Sequence, residues 1–152
     1  KVTAMDISND ALTTAKENAF INGFEKKIEF VQADVFDYLP QVESLKPAPY
    51  DFIILDPPAF TKSRKTALDA VRGYTEINSR AMKALPRGGY LATCSCSHFM
   101  EEKMFVKMLK NASEYAGVSL RLIKACAQSP DHPELMSVPE TKYLKFYLLQ
   151  IT

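Results

Sequence analysis

Four short strings in this chain carry side chains that could do chemistry: Asp56-Pro57-Pro58-Ala59-Phe60, Cys94-Ser95-Cys96-Ser97, and the aspartates Asp6 and Asp34, each at the end of an apolar run. Two consecutive prolines hold a backbone rigid, so the carbonyls and the Asp56 carboxylate can face a cleft at low entropic cost. Phe60 offers a ring on which a base could stack. Cys94 still lies inside an apolar run and reads as a small buried hydrophobe. Cys96 falls just beyond that run, between two serines, where a thiol can act as a nucleophile. A Cys-x-Cys metal site is not expected, because no second cysteine or histidine pair completes four ligands.

The aspartates point to a nucleotide-like ligand. In open α/β sheets ligands sit outside the carboxyl ends of the strands, and an acidic residue there accepts hydrogen bonds from ribose hydroxyls. Asp6 has that placement, and Asp34 is placed to meet an exocyclic amine. Each could equally cap the turn or helix that follows. Lys62, Arg64, Lys65 and Arg72 could hold phosphates or simply be solvated. His132, in Asp131-His132-Pro133, is either a structural loop histidine or a group on the substrate side.

These residues need a sheet to position them, and short apolar runs alternate with amphipathic stretches as a mostly parallel sheet covered by helices requires. Strands are expected at 2–5, 28–33, 50–55, 90–94, 118–125 and 143–151. Ser8 should cap a first helix with Leu12, Ala15 and Ala19 on its inner stripe and Asn22-Gly23 at its end. Further helices are expected at 36–45, with Tyr38, Leu39, Val42 and Leu45 on one side, and at 67–85 and 101–116. The run YDFIIL (50–55) reads as a strand buried on both faces.

Composition fits one soluble globular domain: 152 residues, 47% hydrophobic, 24% charged, with 19 Lys plus Arg against 18 Asp plus Glu. A net charge of +1 is mild for a domain that binds nucleic acid by electrostatics alone. No run of about 18 apolar residues exists to span a membrane. Three cysteines are too few for a disulfide scaffold, so a reducing, cytoplasmic setting is expected.

The Asp56–Phe60 string resembles the catalytic loop of S-adenosylmethionine-dependent methyltransferases acting on nucleic-acid bases. With the strings 72–78 (RGYTEIN), 94–97 (CSCS), 131–133 (DHP) and 143–145 (YLK), the chain from Asp6 onward resembles the ribosomal RNA large subunit methyltransferase I type, which makes 5-methylcytosine in 23S ribosomal RNA. The resemblance implies a Rossmann-like class I methyltransferase sheet with helices on both faces, mostly parallel with an antiparallel last strand. It implies S-adenosylmethionine held by Asp6 with Ile7, Asp34 with Val35, and Asp56. It also implies Cys96 as nucleophile, Asp56 at the base edge, and Pro57, Pro58, Phe60, Lys62, Arg72 and His132 toward the RNA. Thr93-Cys94-Ser95 matches the Thr-Cys-Ser string of other RNA cytosine methyltransferases, so Cys94 competes with Cys96. The family has a first strand and Gly-rich cofactor loop, an N-terminal PUA-type domain and a linking β-region that this chain lacks, and the sequence is therefore expected to be a C-terminal catalytic part. A homodimer is compatible with this reading. An amino-group methyltransferase, for adenine N6 or guanine N2, and a non-catalytic RNA-binding or assembly module remain as alternatives.

Overall fold

In a computed structural model of the chain, residues 1–60 and 67–152 are described, with residues 67–69 described by backbone alone. The described residues form two compact units, Lys1–Gln41 and Val42–Thr152.

The first unit begins with β1 (Val2–Asp6), α1 (Asn9–Ile21) and β2 (Ile28–Gln32). The two strands pair in parallel from Val2↔Ile28 to Asp6↔Gln32, with α1 packed against both. The helix starts at Asn9 because Ser8 is extended and its Oγ accepts the Ala11 N–H at 3.2 Å, satisfying one of the orphan donors of the first turn. Asp10 adds a negative charge at the positive end of the helix dipole. Leu12 and Ala19 are buried and Ala15 half-buried, as the inner stripe requires. α2 (Val35–Glu43) follows. Leu45 lies beyond its last turn and is exposed, which corrects the expectation of a helix to residue 45 with Leu45 on the inner side.

The second unit holds β3 (Phe52–Leu55), α3 (Ala67–Ala84), β4 (Tyr90–Ser95), α4 (Glu102–Ala116), β5 (Leu120–Cys126), a 3-10 turn (Pro139–Thr141) and β6 (Lys145–Ile151). Its strand order is β3-β4-β6-β5. β3 and β4 are parallel, while the last strand, β6, runs antiparallel to both its neighbours. Helical spacing buries Tyr74, Ile77 and Ala81 on α3 and Phe105, Met108, Leu109 and Ala112 on α4, together with Leu91, Leu149 and Ile151 of the sheet. Each fully buried large apolar side chain contributes about 1.5–3 kcal/mol of transfer free energy.

Two glycines set element ends. Gly117 closes α4 at φ +69°, where the Val118 N–H reaches back to the Ser113 carbonyl at 3.1 Å. Gly89 leads into β4, and a Cβ there would stand 2.9 Å from the Pro86 carbonyl oxygen.

One expectation about the sheet fails. β3 is an edge strand in its sheet, with Phe52 46% and Ile54 69% exposed, so it is not buried on both faces. An apolar run records the capacity to be covered, and here the face bearing Phe52 and Ile54 is open while Leu55 on the opposite face is buried. Among the described residues no helix is long and apolar enough to cross a membrane.

Candidate functional site

In the first unit, Asp6 and Asp34 sit at the carboxyl ends of two neighbouring parallel strands. The Asp6 Oδ1 accepts the Ser8 N–H at 2.7 Å, and the Asp34 Oδ1 accepts the Phe36 N–H at 2.8 Å. Both therefore do the capping work that was the alternative reading for them. One carboxylate oxygen of each is used in this way; the other can still accept from a ligand. Ile7 is exposed and its carbonyl accepts from the Gln32 side chain at 3.2 Å, while Val35 is half-buried as the first residue of α2. Two acceptors at adjacent strand ends fit the hydroxyl and amine donors of an adenosine.

In the second unit the chemistry gathers where β3 and β4 end side by side. Their register runs to Leu55↔Thr93, so Asp56 and Cys94 follow as neighbours. The Cys94 thiol donates to the Asp56 Oδ1 at 3.1 Å and lies 3.5 Å from the Leu55 carbonyl oxygen. Cys94 is buried, and burial first, then the hydrogen bond and negative charge of Asp56, pushes its thiol up to about 12. Such a thiol stays protonated and is a poor nucleophile. Cys96, two residues on, is exposed.

The turn that carries Cys96 is tied down from both sides. Ser95 Oγ donates to the Tyr74 phenol oxygen at 3.0 Å and accepts the Ser97 N–H at 3.3 Å. Tyr74 is fully buried and meets the Phe60 ring edge-on at 4.7 Å and the Phe105 ring at 6.1 Å. It thus joins the end of the Asp56–Phe60 string to the Cys96 turn. Burial pushes the Tyr74 phenol above its ordinary value, and the hydrogen bond with Ser95 draws it partly back. On the other side, the Lys145 ammonium donates to the Ser97 carbonyl at 2.6 Å and to the Tyr143 carbonyl at 2.7 Å.

Of the remaining candidates, Pro57 is buried and Pro58 exposed. His132 is exposed; its Nδ1 lies 3.1 Å from the Asp131 carboxylate and its ring faces the Tyr143 ring edge-on at 6.5 Å. Arg72 is exposed on α3 and lines an open groove of about 500 Å³ with Thr75, Ser79, Lys83 and Asn111. Lys62, Arg64 and Lys65 lie outside the described residues. Among the described residues no group of three or more His, Cys, Asp or Glu could hold a metal ion. Tyr74, Ser95 and Lys145 had no role assigned from sequence, although all three fall within the strings quoted for the resemblance. A residue with a hydroxyl at helical spacing from Ile77 and Ala81 on the buried side of α3, which is where Tyr74 sits, was the available signal.

A family model described as "Methyltransferase domain" matches residues 1–145. Ribosomal RNA large subunit methyltransferase I of Pseudoalteromonas atlantica is 40% identical over 151 residues, covering 99% of this chain and 38% of the relative. The protein of the same name from Klebsiella pneumoniae is 37% identical over 152 residues, again 99% of this chain and 38% of the relative. The chain thus spans well under half the length of these curated relatives. Among solved structures, a Streptococcus mutans protein described as a SAM-dependent methyltransferase has a TM-score of 0.81 at 19% identity, covering 97% of this chain and 38% of that one. NSun6 from Pyrococcus horikoshii, solved with SFG, has a TM-score of 0.68 at 20% identity, over 99% of this chain and 41% of that one. At these identities the structural likeness speaks to the fold.

Proposed function

The chain belongs to the methyltransferase domain family, and from that premise we propose that it carries the catalytic part of an S-adenosylmethionine-dependent methyltransferase acting on C5 of a cytidine in 23S ribosomal RNA. The observation that carries this reading is the contrast between two thiols at one strand end. Cys94 is buried and committed to Asp56, whereas Cys96 is exposed on a turn fixed by Tyr74, Ser95 and Lys145.

Cytosine C5 is a weak nucleophile, so methylation there needs prior activation. The Cys96 thiolate adds to C6, forming a C–S bond and moving the C5–C6 π pair toward C5, which becomes enamine-like. Asp6 and Asp34 would hold S-adenosylmethionine through its ribose hydroxyls and adenine amine, and the cofactor would supply an electrophilic methyl group on a sulfonium, the S–CH3 pair staying on sulfur as S-adenosylhomocysteine departs. Once C5 carries the methyl, its proton leaves to a base, the C5–C6 double bond re-forms and the thiolate is expelled. Asp56 faces the base edge near N3 and supports the charge changes there. The target base must leave its stack to meet these groups, so a single-stranded or flipped nucleotide is required. Phe60 and the prolines of the same string would border the base, with Arg72 and His132 toward the RNA.

The test is methyl transfer to ribosomal RNA by the full-length protein, with the product nucleoside identified by mass spectrometry. The expected product is 5-methylcytidine, absent with Cys96→Ala. An N6-methyladenosine or N2-methylguanosine product made equally well by Cys96→Ala would overturn the reading in favour of amino-group transfer.

A further inference from the structure

Lys145 opens β6 opposite Ser95 in the antiparallel β4–β6 register, so the backbone ladder itself brings it to the Cys96 turn. Its ammonium then bonds the carbonyl of Ser97, the residue after Cys96, and that of Tyr143. Lys145 is half-buried. Burial pulls its pKa below the ordinary lysine value, opposed by the charges of Cys96 and Glu102. Glu102 on α4 already accepts the Tyr147 hydroxyl at 2.9 Å. The other titratable groups around the turn include His98 directly after Ser97, Tyr74 from α3, Cys94 on β4, and Asp56 after β3. The two carbonyls that accept from the ammonium are neutral, the opposite charges acting on it are those of Cys96 and Glu102, and a half-buried charge acts strongly on what stands nearby.

We propose that Lys145 is a positioning residue for the Cys96 reaction, fixing the Ser95–Ser97 turn through the Ser97 carbonyl and setting a positive charge near the sulfur where the thiolate must form. This deepens the cysteine reading above and rests on it. The ammonium stays protonated throughout; it moves no proton and forms no bond to the base. Its field favours the thiolate both before addition to C6 and after expulsion.

A purely structural role and this one separate by chemistry. If Lys145 only satisfies carbonyls, a neutral donor can replace it; if its charge matters, only another cation can. The experiment compares Lys145→Gln, Lys145→Met and Lys145→Arg in full-length protein carrying Cys126→Ser, with the rate of iodoacetamide alkylation at Cys96 followed by peptide mass spectrometry. Near neutral pH, Lys145→Gln and Lys145→Met should each slow alkylation about tenfold, the size expected for removing one close opposite charge. Lys145→Arg should stay within about threefold of the parent, and the gap for the neutral variants should narrow at alkaline pH. Should Lys145→Met fail to fold, Lys145→Gln against Lys145→Arg carries the comparison. Alkylation in Lys145→Gln as fast as in the parent would overturn the proposal. Alkylation reads Cys96 without RNA or cofactor, so a failure of the cysteine reading itself is seen separately, as methyl transfer that survives Cys96→Ala.

Discussion

The Cys94 thiol donates a hydrogen bond to the Asp56 carboxylate at 3.1 Å, linking the ends of two parallel strands. The contact holds a proton on one cysteine of a Cys-x-Cys string and leaves the next one, Cys96, on an exposed turn. It also orients Asp56 from behind, so that one carboxylate oxygen is spoken for. The contrast between a buried and an exposed thiol follows from where β4 stops.

Cys94→Ala should therefore keep methyl transfer and lose stability. The truncation removes a buried sulfur and its hydrogen bond, worth about 1–2 kcal/mol together. Chemical denaturation of parent and variant, alongside turnover, measures both effects. Loss of turnover with an intact fold would instead give Cys94 a chemical role.

Burial of Cys94, and then the same contact, make stability depend on alkaline pH. With its thiol moved from 9.0 up to about 12, Cys94 binds its proton more tightly in the folded than in the unfolded protein. That contribution is whole below the unfolded value and is lost as pH rises through the folded one. Tyr147, pushed up to about 12 by burial and then by Glu102, acts in an overlapping range. The parent should lose stability between pH 9 and 12 through Cys94 and between pH 10 and 12 through Tyr147, by up to about 1.4 kcal/mol per pH unit for each group, and Cys94→Ala should lose it less steeply. Urea midpoints at several alkaline pH values check this; parallel slopes would contradict it.

Asp6→Ala and Asp34→Ala should each weaken S-adenosylmethionine binding by the full-length protein. Losing a hydrogen bond to a charged acceptor costs roughly 1.5–3 kcal/mol, or about ten- to a hundredfold in affinity. Each aspartate also caps the backbone that follows it, so Asp→Asn, which retains an acceptor oxygen for the cap, is the companion variant. Calorimetry showing unchanged affinity in Asp6→Ala would remove that residue from the site.

Tyr74→Phe keeps the ring against Phe60 and Phe105 but removes the oxygen that accepts from Ser95. It should cost about 0.5–1.5 kcal/mol of stability and lower kcat while leaving cofactor affinity unchanged. Steady-state kinetics with calorimetry separates these, and an unaltered kcat would show that the Ser95 tether does not govern the turn.

Much of this was legible in the residues because local chemistry and tertiary role agree. Ser8 caps α1 in the protein as its position implied, and the helix expected at 101–116 forms as α4 with Phe105, Met108, Leu109 and Ala112 buried and Met104 half-buried. Asp6 and Asp34 illustrate an ambiguity that spacing cannot resolve, since an acceptor at a strand end can cap a backbone and meet a ligand at once. The exposure of Phe52 and Ile54 was not legible, because what covers a strand's face comes from elements far away in sequence. Lys145 was missed for a similar reason: its importance comes from the β4–β6 register that brings it opposite Ser95. Tyr74 lies 21 residues before Ser95, and nothing local marks its hydroxyl as the anchor for that turn.

The most direct measurement is a covalent trap. RNA carrying 5-fluorocytidine at the target position, incubated with the full-length protein and S-adenosylmethionine, should leave a stable protein–RNA adduct, because fluorine cannot leave C5 as a proton does. Peptide mass spectrometry should place the nucleotide on Cys96, with no adduct in Cys96→Ala. An adduct on Cys94 would move the nucleophile by two residues, and full methyl transfer by the double variant Cys94→Ala, Cys96→Ala would contradict the C5 mechanism altogether.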